Sequence, residues 1–214
     1  MNITVLIGSC DKYSYLWDNF DFLFKKYCEL NTKKILVSET LTFNNTEYTT
    51  TCFGNIPWGE RILKSLELVE TEYVFFILDD YYFTESLSKD FLQNHIDILE
   101  KKGAVKIMMD IDYGYPIYTL KHLEDNLYQF GENSQYLNSV QPAIWKTEYL
   151  KKVLKPNYSP WDFELIGNEY TKTLKPIILL NARPKHVYFN IMRKGGILSD
   201  GWQDIFKKEN LKLI

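Results

Sequence analysis

The sequence lacks most of the features that mark specialised classes of protein. Its 214 residues carry 25 basic and 28 acidic side chains, and a net charge of -3 leaves no basic surface for nucleic acid. Only three cysteines occur (Cys10, Cys28 and Cys52), without metal-site spacing, so we expect reduced thiols in a cytoplasmic protein. No apolar run approaches the roughly 20 residues of a membrane span, and the N-terminus has no basic region typical of a secretory signal.

Glycine-rich phosphate-binding motifs are absent as well. Gly8 follows the first apolar segment alone, without the Gly-x-Gly-x-x-Gly of dinucleotide-binding folds or the Gly-x-x-x-x-Gly-Lys of P-loop enzymes. Neither a serine elbow nor a cysteine–histidine pair indicates covalent catalysis. Aromatic residues are abundant, at 16% with 16 tyrosines. Such side chains build cores and also stack on sugars and bases.

Hydrophobic patterning predicts one α/β domain over residues 1–214. Its first half alternates apolar strands with segments of helical spacing, which indicates a mainly parallel sheet flanked by helices. Segment 40–53 is predicted to be irregular, and the tail from Gly195 to be a lid or a loose end. The predicted strands are 2–8, 34–37, 73–78, 105–109, two within 126–145, 177–180 and 187–191. The predicted helices are 17–30, 58–69, 88–102, 147–154 and one beginning at Ser159-Pro160.

An acidic pair, Asp79-Asp80, follows the six apolar residues 73–78, which are typical of a strand covered on both faces. Carboxylates in such a place are unfavourable unless a cation compensates their charge. Ligands bind at this edge of open α/β sheets. The pair therefore predicts a site where Mg²⁺ or Mn²⁺ bridges carboxylate and diphosphate. The alternative is a turn in which an aspartate caps the next segment.

A second acidic group lies in the segment 159–164, Ser-Pro-Trp-Asp-Phe-Glu. Serine as N-cap and proline in the first turn predict a helix start. On that helix Trp161, Glu164 and Asn168 share one stripe, so Trp161 would offer a sugar a stacking surface beside a carboxylate base. Alternatively, Asp162 and Glu164 only complement the helix dipole.

Three further features are candidates for binding phosphate or metal. Arg61 lies on the helix before the acidic strand, where its planar guanidinium could hold a diphosphate, although solvated helix arginines are more frequent. His186 precedes a late strand and could reach a metal, although a lone histidine is more often structural. Lys194-Gly195-Gly196 could present backbone amides and a cation to phosphate.

The order of these parts resembles the nucleotide-sugar-dependent glycosyltransferases of the GT-A fold, particularly small bacterial enzymes of capsule and surface-polysaccharide assembly. The resemblance implies a GT-A-like, Rossmann-like fold with a nucleotide-binding half at 1–110 and an acceptor-binding half at 111–214. It spans positions 5 to 164 and rests on four stretches. These are Val5-Leu6-Ile7-Gly8-Ser9-Cys10-Asp11-Lys12-Tyr13, Trp58 through Phe83, Gln141-Pro142-Ala143-Ile144-Trp145 and Pro160-Trp161-Asp162-Phe163-Glu164.

The resemblance also implies roles for single residues. Trp145 and Trp161 would border a saccharide or lipid-linked saccharide acceptor. Inverting members of the family place a carboxylate base at the start of such a helix, which implies Glu164 as base, with Asp162 as second choice. The donor nucleotide sugar would be bound by seven residues: Ser9, Cys10, Asp11, Glu39, Arg61, Asp79 and Asp80.

One position departs from the family pattern. The acidic motif of the family has an acid at its third position, where this chain has Tyr81. Metal dependence is therefore open. Mg²⁺ or Mn²⁺ could be held by Asp80, with Asp79 and His186 as further ligands, or the enzyme works without metal.

Other functions stay open on the sequence. A sugar nucleotidyltransferase shares the early layout, but its Gly-rich loop with Arg or Lys is replaced here by residues 8–12, Gly-Ser-Cys-Asp-Lys. A non-catalytic binding module, or a partner in a polysaccharide-assembly complex, would use the tyrosines as interface anchors. Peripheral association with the inner face of the membrane is compatible with a cytoplasmic location, and exposed aromatics permit a homodimer.

Overall fold

A computed structural model describes residues 1–111, 119–183, 185–193 and 197–212, with only the backbone for Ile197. A 3₁₀ helix covers Asp11–Leu16. The strands are β1 (Ile3–Gly8), β2 (Lys34–Ser38), β3 (Tyr48–Cys52), β4 (Tyr73–Leu78), β5 (Tyr81–Phe83), β6 (Lys106–Met108), β7 (Lys121–Glu124), β8 (Leu127–Gln129), β9 (Ala143–Lys146), β10 (Ile178–Asn181), β11 (Tyr188–Asn190), β12 (Met192–Arg193) and β13 (Ile197–Leu198). The α-helices are α1 (Trp17–Tyr27), α2 (Trp58–Leu66), α3 (Lys89–Lys102), α4 (Thr147–Val153), α5 (Pro160–Leu174) and α6 (Trp202–Glu209).

Nine of these strands form one sheet, in the order β3-β2-β1-β4-β9-β6-β10-β8-β7. β3, β2, β1 and β4 are parallel, and β9 lies antiparallel between β4 and β6. The chain moves outward from β1 to β3 and then crosses to β4 on the other side. This reversal opens a crevice at the carboxyl ends of β1 and β4, where α/β proteins bind ligands. The sheet is mixed and mainly parallel, and it confirms the predicted fold class.

Alternate side chains of each strand point to opposite faces and so build two hydrophobic layers. Ile7 and Phe75 pack on one face, in the layer that includes the buried side of α1 and α3. Leu6 and Phe76 pack on the other face, with α2, α4 and α5. Because β4 is buried on both faces, its sequence is a continuous apolar run rather than an alternating one.

Gly59 lets α2 approach the chain that leads into α5. Its backbone N–H donates to the carbonyl oxygen of Tyr158 at 2.8 Å. A Cβ at position 59 would lie 2.2 Å from the carbonyl oxygen of Lys155. Only glycine fits this contact, which ties the start of α2 to the segment before α5.

Three predicted boundaries need correction. Segment 40–53 is not irregular throughout, because β3 pairs with β2 there in parallel. The helix predicted over 58–69 ends at Leu66. The tail is not a loose end, since α6 buries Phe206 and its Glu209 accepts hydrogen bonds from Tyr27 and Lys26 of α1. Another predicted feature, Lys194-Gly195-Gly196, lies outside the described residues. None of the helices in the described ranges has the length and apolar character needed to cross a membrane.

Candidate active site at the carboxyl edge of the sheet

Asp79 lies buried where β4 ends beside β1, with 2% of its surface exposed. Its Oδ2 accepts hydrogen bonds from the hydroxyl of Ser9 and, at 3.1 Å, from the indole N–H of Trp17. Burial and, secondarily, the charge of Asp80 raise the pKa of Asp79 well above its ordinary value. Asp79 therefore acts as an internal acceptor that holds the loop after β1, while the less buried Asp80 is better placed to meet a ligand.

The loop after β1 lies close to this acidic pair. Its 3₁₀ helix carries Tyr13 and Tyr15, and the pKa of each phenol is raised, first by burial and then by neighbours that include Asp79 and Asp80. Burial, reinforced by Asp79, raises the pKa of Cys10 to about 11. The Cys10 thiol is therefore protonated near neutral pH and unsuited to nucleophilic attack. The two phenols and the thiol therefore lie near enough to the acidic pair to feel its charge.

A second polar cluster joins the end of β1 to the end of β2. Oδ1 of Asp11 accepts hydrogen bonds from the backbone N–H groups of Thr40 and Leu41, each at 3.0 Å. Burial works to raise the pKa of Asp11, but hydrogen bonds led by those from Thr40 outweigh it and lower the pKa. Glu39 accepts from the backbone N–H of Asp11 and pairs with Nη1 of the buried Arg61. This pairing directs Arg61 to Glu39, so the contacts of Arg61 do not support its predicted role as a diphosphate clamp.

Glu164 reaches the same edge of the sheet from the first turns of α5. Its Oε1 accepts a hydrogen bond from the backbone N–H of Val140 at 3.0 Å. Ala143 of β9 pairs with Phe76 of β4 in antiparallel register. Because the two strands are antiparallel, the segment with Val140 enters β9 at the edge of the sheet where Asp79 follows β4. The register therefore brings the predicted base and the acidic pair to one edge.

Asp162 has a different role from Glu164. Its Oδ2 accepts hydrogen bonds from the backbone N–H of Ser159 at 2.9 Å and from the Ser159 hydroxyl at 2.7 Å. These bonds lower the pKa of Asp162. The Asp162 backbone N–H returns a bond to the Ser159 hydroxyl at 3.1 Å, completing a capping box. Because its carboxylate closes the cap, the structure does not support Asp162 as the second choice for the base.

The two tryptophans predicted beside the acceptor lie in different environments. Trp145 is fully buried, with the Lys106 ammonium 4.4 Å from its ring centroid and Phe163 packed at 6.0 Å. The prediction that Trp145 borders the acceptor is wrong, because no saccharide can stack on a ring inside the core. Trp161 is 53% exposed, one turn before Glu164. Its role at the acceptor stays a prediction.

His186 does not join the acidic pair. Its Nδ1 lies 2.9 Å from Oδ2 of Asp110, a buried carboxylate at the end of β6 that also accepts from the backbone N–H of Val187. The backbone N–H of Ile191 donates to the carbonyl oxygen of Asp80 at 2.8 Å, just beyond the β5–β11 ladder. His186 lies five residues before Ile191, which is about 16 Å of extended chain. The predicted shared metal site of Asp80 and His186 is therefore not formed. No cluster of three or more His, Cys, Asp or Glu side chains suited to a metal ion is found within the described ranges.

Several residues at this edge escaped prediction from the sequence. Trp17 was expected only as an apolar helix residue, and no local pattern indicates its hydrogen bond to Asp79. Val140 contributes a backbone N–H, which any residue type except proline provides. Asp110 could have been identified from the sequence, because it directly follows a predicted strand, as Asp79 does. An acid at the end of any predicted strand is therefore a candidate for the site.

No protein-family model matches this sequence, and no curated protein matches it. Solved structures resemble it in fold. S. aureus TarS 1–349 in complex with UDP-GlcNAc has a TM-score of 0.65 at 14% identity, covering 97% of this chain and 64% of that one. The mannosyltransferase PcManGT from Pyrobaculum calidifontis, in complex with GDP-Man and Mn²⁺, has a TM-score of 0.63 at 11% identity, covering 91% and 58%. The chain has a GT-A fold.

This GT-A fold is shared with enzymes of another chemistry. The 2-C-methyl-D-erythritol 4-phosphate cytidylyltransferase from Thermus thermophilus has a TM-score of 0.57 at 12% identity, covering 98% of both chains. The present chain spans less than two thirds of the two glycosyltransferase structures. At these identities the likeness establishes the fold alone.

Proposed function

We propose that the chain is a glycosyltransferase that moves a sugar from a nucleotide-sugar donor to a saccharide or lipid-linked saccharide acceptor in surface-polysaccharide synthesis, with inversion at the anomeric carbon. The observation that carries this proposal is that Glu164, bonded to the segment before β9, lies at the same edge of the sheet as Asp79-Asp80 at the end of β4. An exposed tryptophan stands one turn from that carboxylate. A cytoplasmic protein working at the inner face of the membrane would have access to both substrates.

The donor side of the proposal rests on the three strand ends that meet in the crevice. The cluster of Asp11 and Glu39 offers carboxylates that can accept from the N–H and hydroxyl groups of a base and ribose. Asp80, at the end of β4, is the carboxylate that we assign to the diphosphate. The glycosyltransferases of similar fold hold UDP-GlcNAc and GDP-Man. Likeness of fold and placement of acids together favour a nucleoside diphosphate donor.

A divalent cation fits one member of the acidic pair better than the other. Oδ2 of Asp79 already accepts hydrogen bonds from Ser9 and Trp17, and the raised pKa of the Asp79 carboxyl group favours its neutral form. Asp80 is the residue that would hold Mg²⁺ or Mn²⁺, sharing it with the donor diphosphate. Such an ion would stabilise the charge that develops on the leaving group. The mannosyltransferase of similar fold contains Mn²⁺.

The chemistry proposed for Glu164 is general-base catalysis. Its carboxylate takes the proton of an acceptor hydroxyl as the oxygen attacks the anomeric carbon in line. The new glycosidic bond forms while the bond from that carbon to the diphosphate oxygen breaks, and the nucleoside diphosphate leaves with the electron pair. The hydrogen bond from the Val140 backbone orients the carboxylate for this step.

The test compares Glu164→Gln with Asp162→Asn, two isosteric changes on the same turn of α5. UDP-GlcNAc and GDP-mannose, each with and without Mn²⁺, serve as donor probes in calorimetry and in a transfer assay. We expect Glu164→Gln to lower transfer by about 10²–10⁴-fold, the contribution of a general base to rate, and to leave donor affinity within about twofold, because a base contributes little to binding. Asp162→Asn should keep the transfer rate and the donor affinity of the wild type. Full transfer by Glu164→Gln would remove Glu164 as the base.

A second candidate function is sugar nucleotidyl transfer, favoured by the end-to-end match with the cytidylyltransferase. The products separate the two chemistries. A nucleotidyltransferase given a sugar phosphate and a nucleoside triphosphate releases pyrophosphate, whereas a glycosyltransferase releases a nucleoside diphosphate from a nucleotide sugar. A binding module or partner protein would release neither.

A further inference from the structure

The segment of residues 137–140, which leads into β9, is bound to the rest of the chain by buried polar side chains. The backbone N–H of Leu137 donates to Oδ1 of Asn168 on α5 at 2.7 Å. The carbonyl oxygen of Leu137 accepts from the ammonium of Lys106, on β6, at 3.0 Å. Lys106 and Asn168 are themselves almost completely buried. Both backbone polar groups of Leu137 are thus satisfied by side chains from two different elements.

Asn138 continues the same network one residue later. Its Nδ2 donates to the carbonyl oxygen of Phe163 at 3.3 Å, and its Oδ1 accepts from the hydroxyl of Thr171 at 2.9 Å. Asn138 and Thr171 are fully buried. A Cβ at Gly167 would lie 2.9 Å from Nδ2 of Asn138. Because glycine has no side chain, the Asn138 amide can pack directly against α5 at this position.

The next two residues of the segment contact the candidate base. The hydroxyl of Ser139 donates to Oε1 of Glu164 at 3.2 Å, and the backbone N–H of Val140 donates to the same oxygen at 3.0 Å. The carboxylate is therefore held by two consecutive donors of a segment whose own position is set by Lys106, Asn138, Asn168 and Thr171. Fully satisfied polar networks in a core specify one arrangement, which apolar packing alone does less strictly.

We propose that Lys106, Asn138, Asn168 and Thr171 are positioning residues for Glu164, fixing the 137–140 segment so that its donors aim the carboxylate at the carboxyl edge of the sheet. This inference rests on the proposed function, since it assumes that Glu164 is the base. Thr171 lies two turns along α5 from Glu164, about 10 Å along the axis, and does not touch the reacting atoms. Its effect on the reaction passes through Asn138 and the segment.

Thr171→Val tests the inference, because valine keeps the shape of threonine and removes the hydroxyl that donates to Asn138. Thr171→Ser restores a hydroxyl, and Thr173→Val is the matched control, since the Thr173 hydroxyl is exposed and bonds within its own helix. With UDP-GlcNAc or GDP-mannose, whichever the wild type transfers, we expect Thr171→Val to lower kcat by about 10–100-fold, the loss that small misplacements of a catalytic group produce. Donor KM should stay within about twofold, Thr171→Ser should recover most of the rate, and Thr173→Val should equal the wild type. An unchanged kcat in a folded Thr171→Val would overturn the proposal.

A double variant separates positioning from a general loss of structure. In the Glu164→Gln background, Thr171→Val should cause no further loss of residual transfer, because the group that it positions is already gone. A further loss as large as in the wild type would overturn the inference while leaving the proposed function intact. Full transfer by Glu164→Gln alone would overturn both. If circular dichroism shows that Thr171→Val does not fold, Lys106→Met carries the same expectations for kcat and KM, with the same overturning result.

Discussion

Replacing Lys106 with methionine should change how the stability of the protein depends on pH. Lys106 has none of its surface exposed, and its ammonium lies over the Trp145 ring and donates to the Leu137 carbonyl oxygen. Burial lowers the pKa of Lys106 to about 7, although the charge of Glu164 works in the opposite direction. Methionine has a similar length and no charge, so Lys106→Met removes the titration and keeps much of the volume.

The sign of the effect follows from proton binding. In the unfolded chain the lysine has a pKa near 10.4, so between about pH 7 and pH 10 the unfolded state holds a proton that the folded state releases. Stability contributed by this group therefore rises with pH across that window. At about pH 7 the cost of burying Lys106 is about 4 kcal/mol, and it shrinks by about 1 kcal/mol per pH unit above that.

The assay is urea unfolding of the wild type and Lys106→Met at several pH values from about 7 to 9. Cysteines and tyrosines also titrate towards the upper end, but they are common to both proteins and cancel in the difference. We expect the free-energy gap between variant and wild type to move by about 2 kcal/mol in favour of the wild type over this range. The lost hydrogen bond to Leu137 adds a constant offset of about 1–3 kcal/mol and no slope. A gap that stays constant with pH would refute the argument that Lys106 is buried with a lowered pKa.

Two further changes test the packing around α5 by the same unfolding assay. Gly59→Ala places a methyl group 2.2 Å from the carbonyl oxygen of Lys155, so α2 must move away, and we expect a loss of about 1–3 kcal/mol; an unchanged urea midpoint would contradict the close contact. Ser159→Ala removes the hydroxyl that caps α5 against Asp162, and should cost about 1 kcal/mol; a variant as stable as the wild type would show that the capping box is not needed.

Local patterns in the sequence determined several features correctly. The buried strand before Asp79-Asp80 was visible because a strand covered on both faces needs apolar residues at every position. The start of α5 was visible because the Ser159-Pro160 signal acts within one helical turn. The same locality could have identified the role of Asp162, since a serine followed three residues later by an acid is itself a capping-box pattern. The prediction that segment 40–53 is irregular was wrong in part. Its second part is a strand because it pairs with β2, and its own residues do not indicate that pairing.

Only the tertiary structure decided which of the candidate residues meet. Trp145 is enclosed because α5 packs over β9, and Arg61 pairs with Glu39. His186 is hydrogen-bonded to Asp110, a residue far away in sequence. The location of Glu164 at the same edge as the acidic pair depends on the insertion of β9 between β4 and β6, and no local pattern encodes that pairing. Sequence by itself specified the chemical groups and the elements that carry them, because propensity and periodicity act over a few residues. Their convergence at one edge came from strand order, which is set by burying both faces of the whole sheet at once.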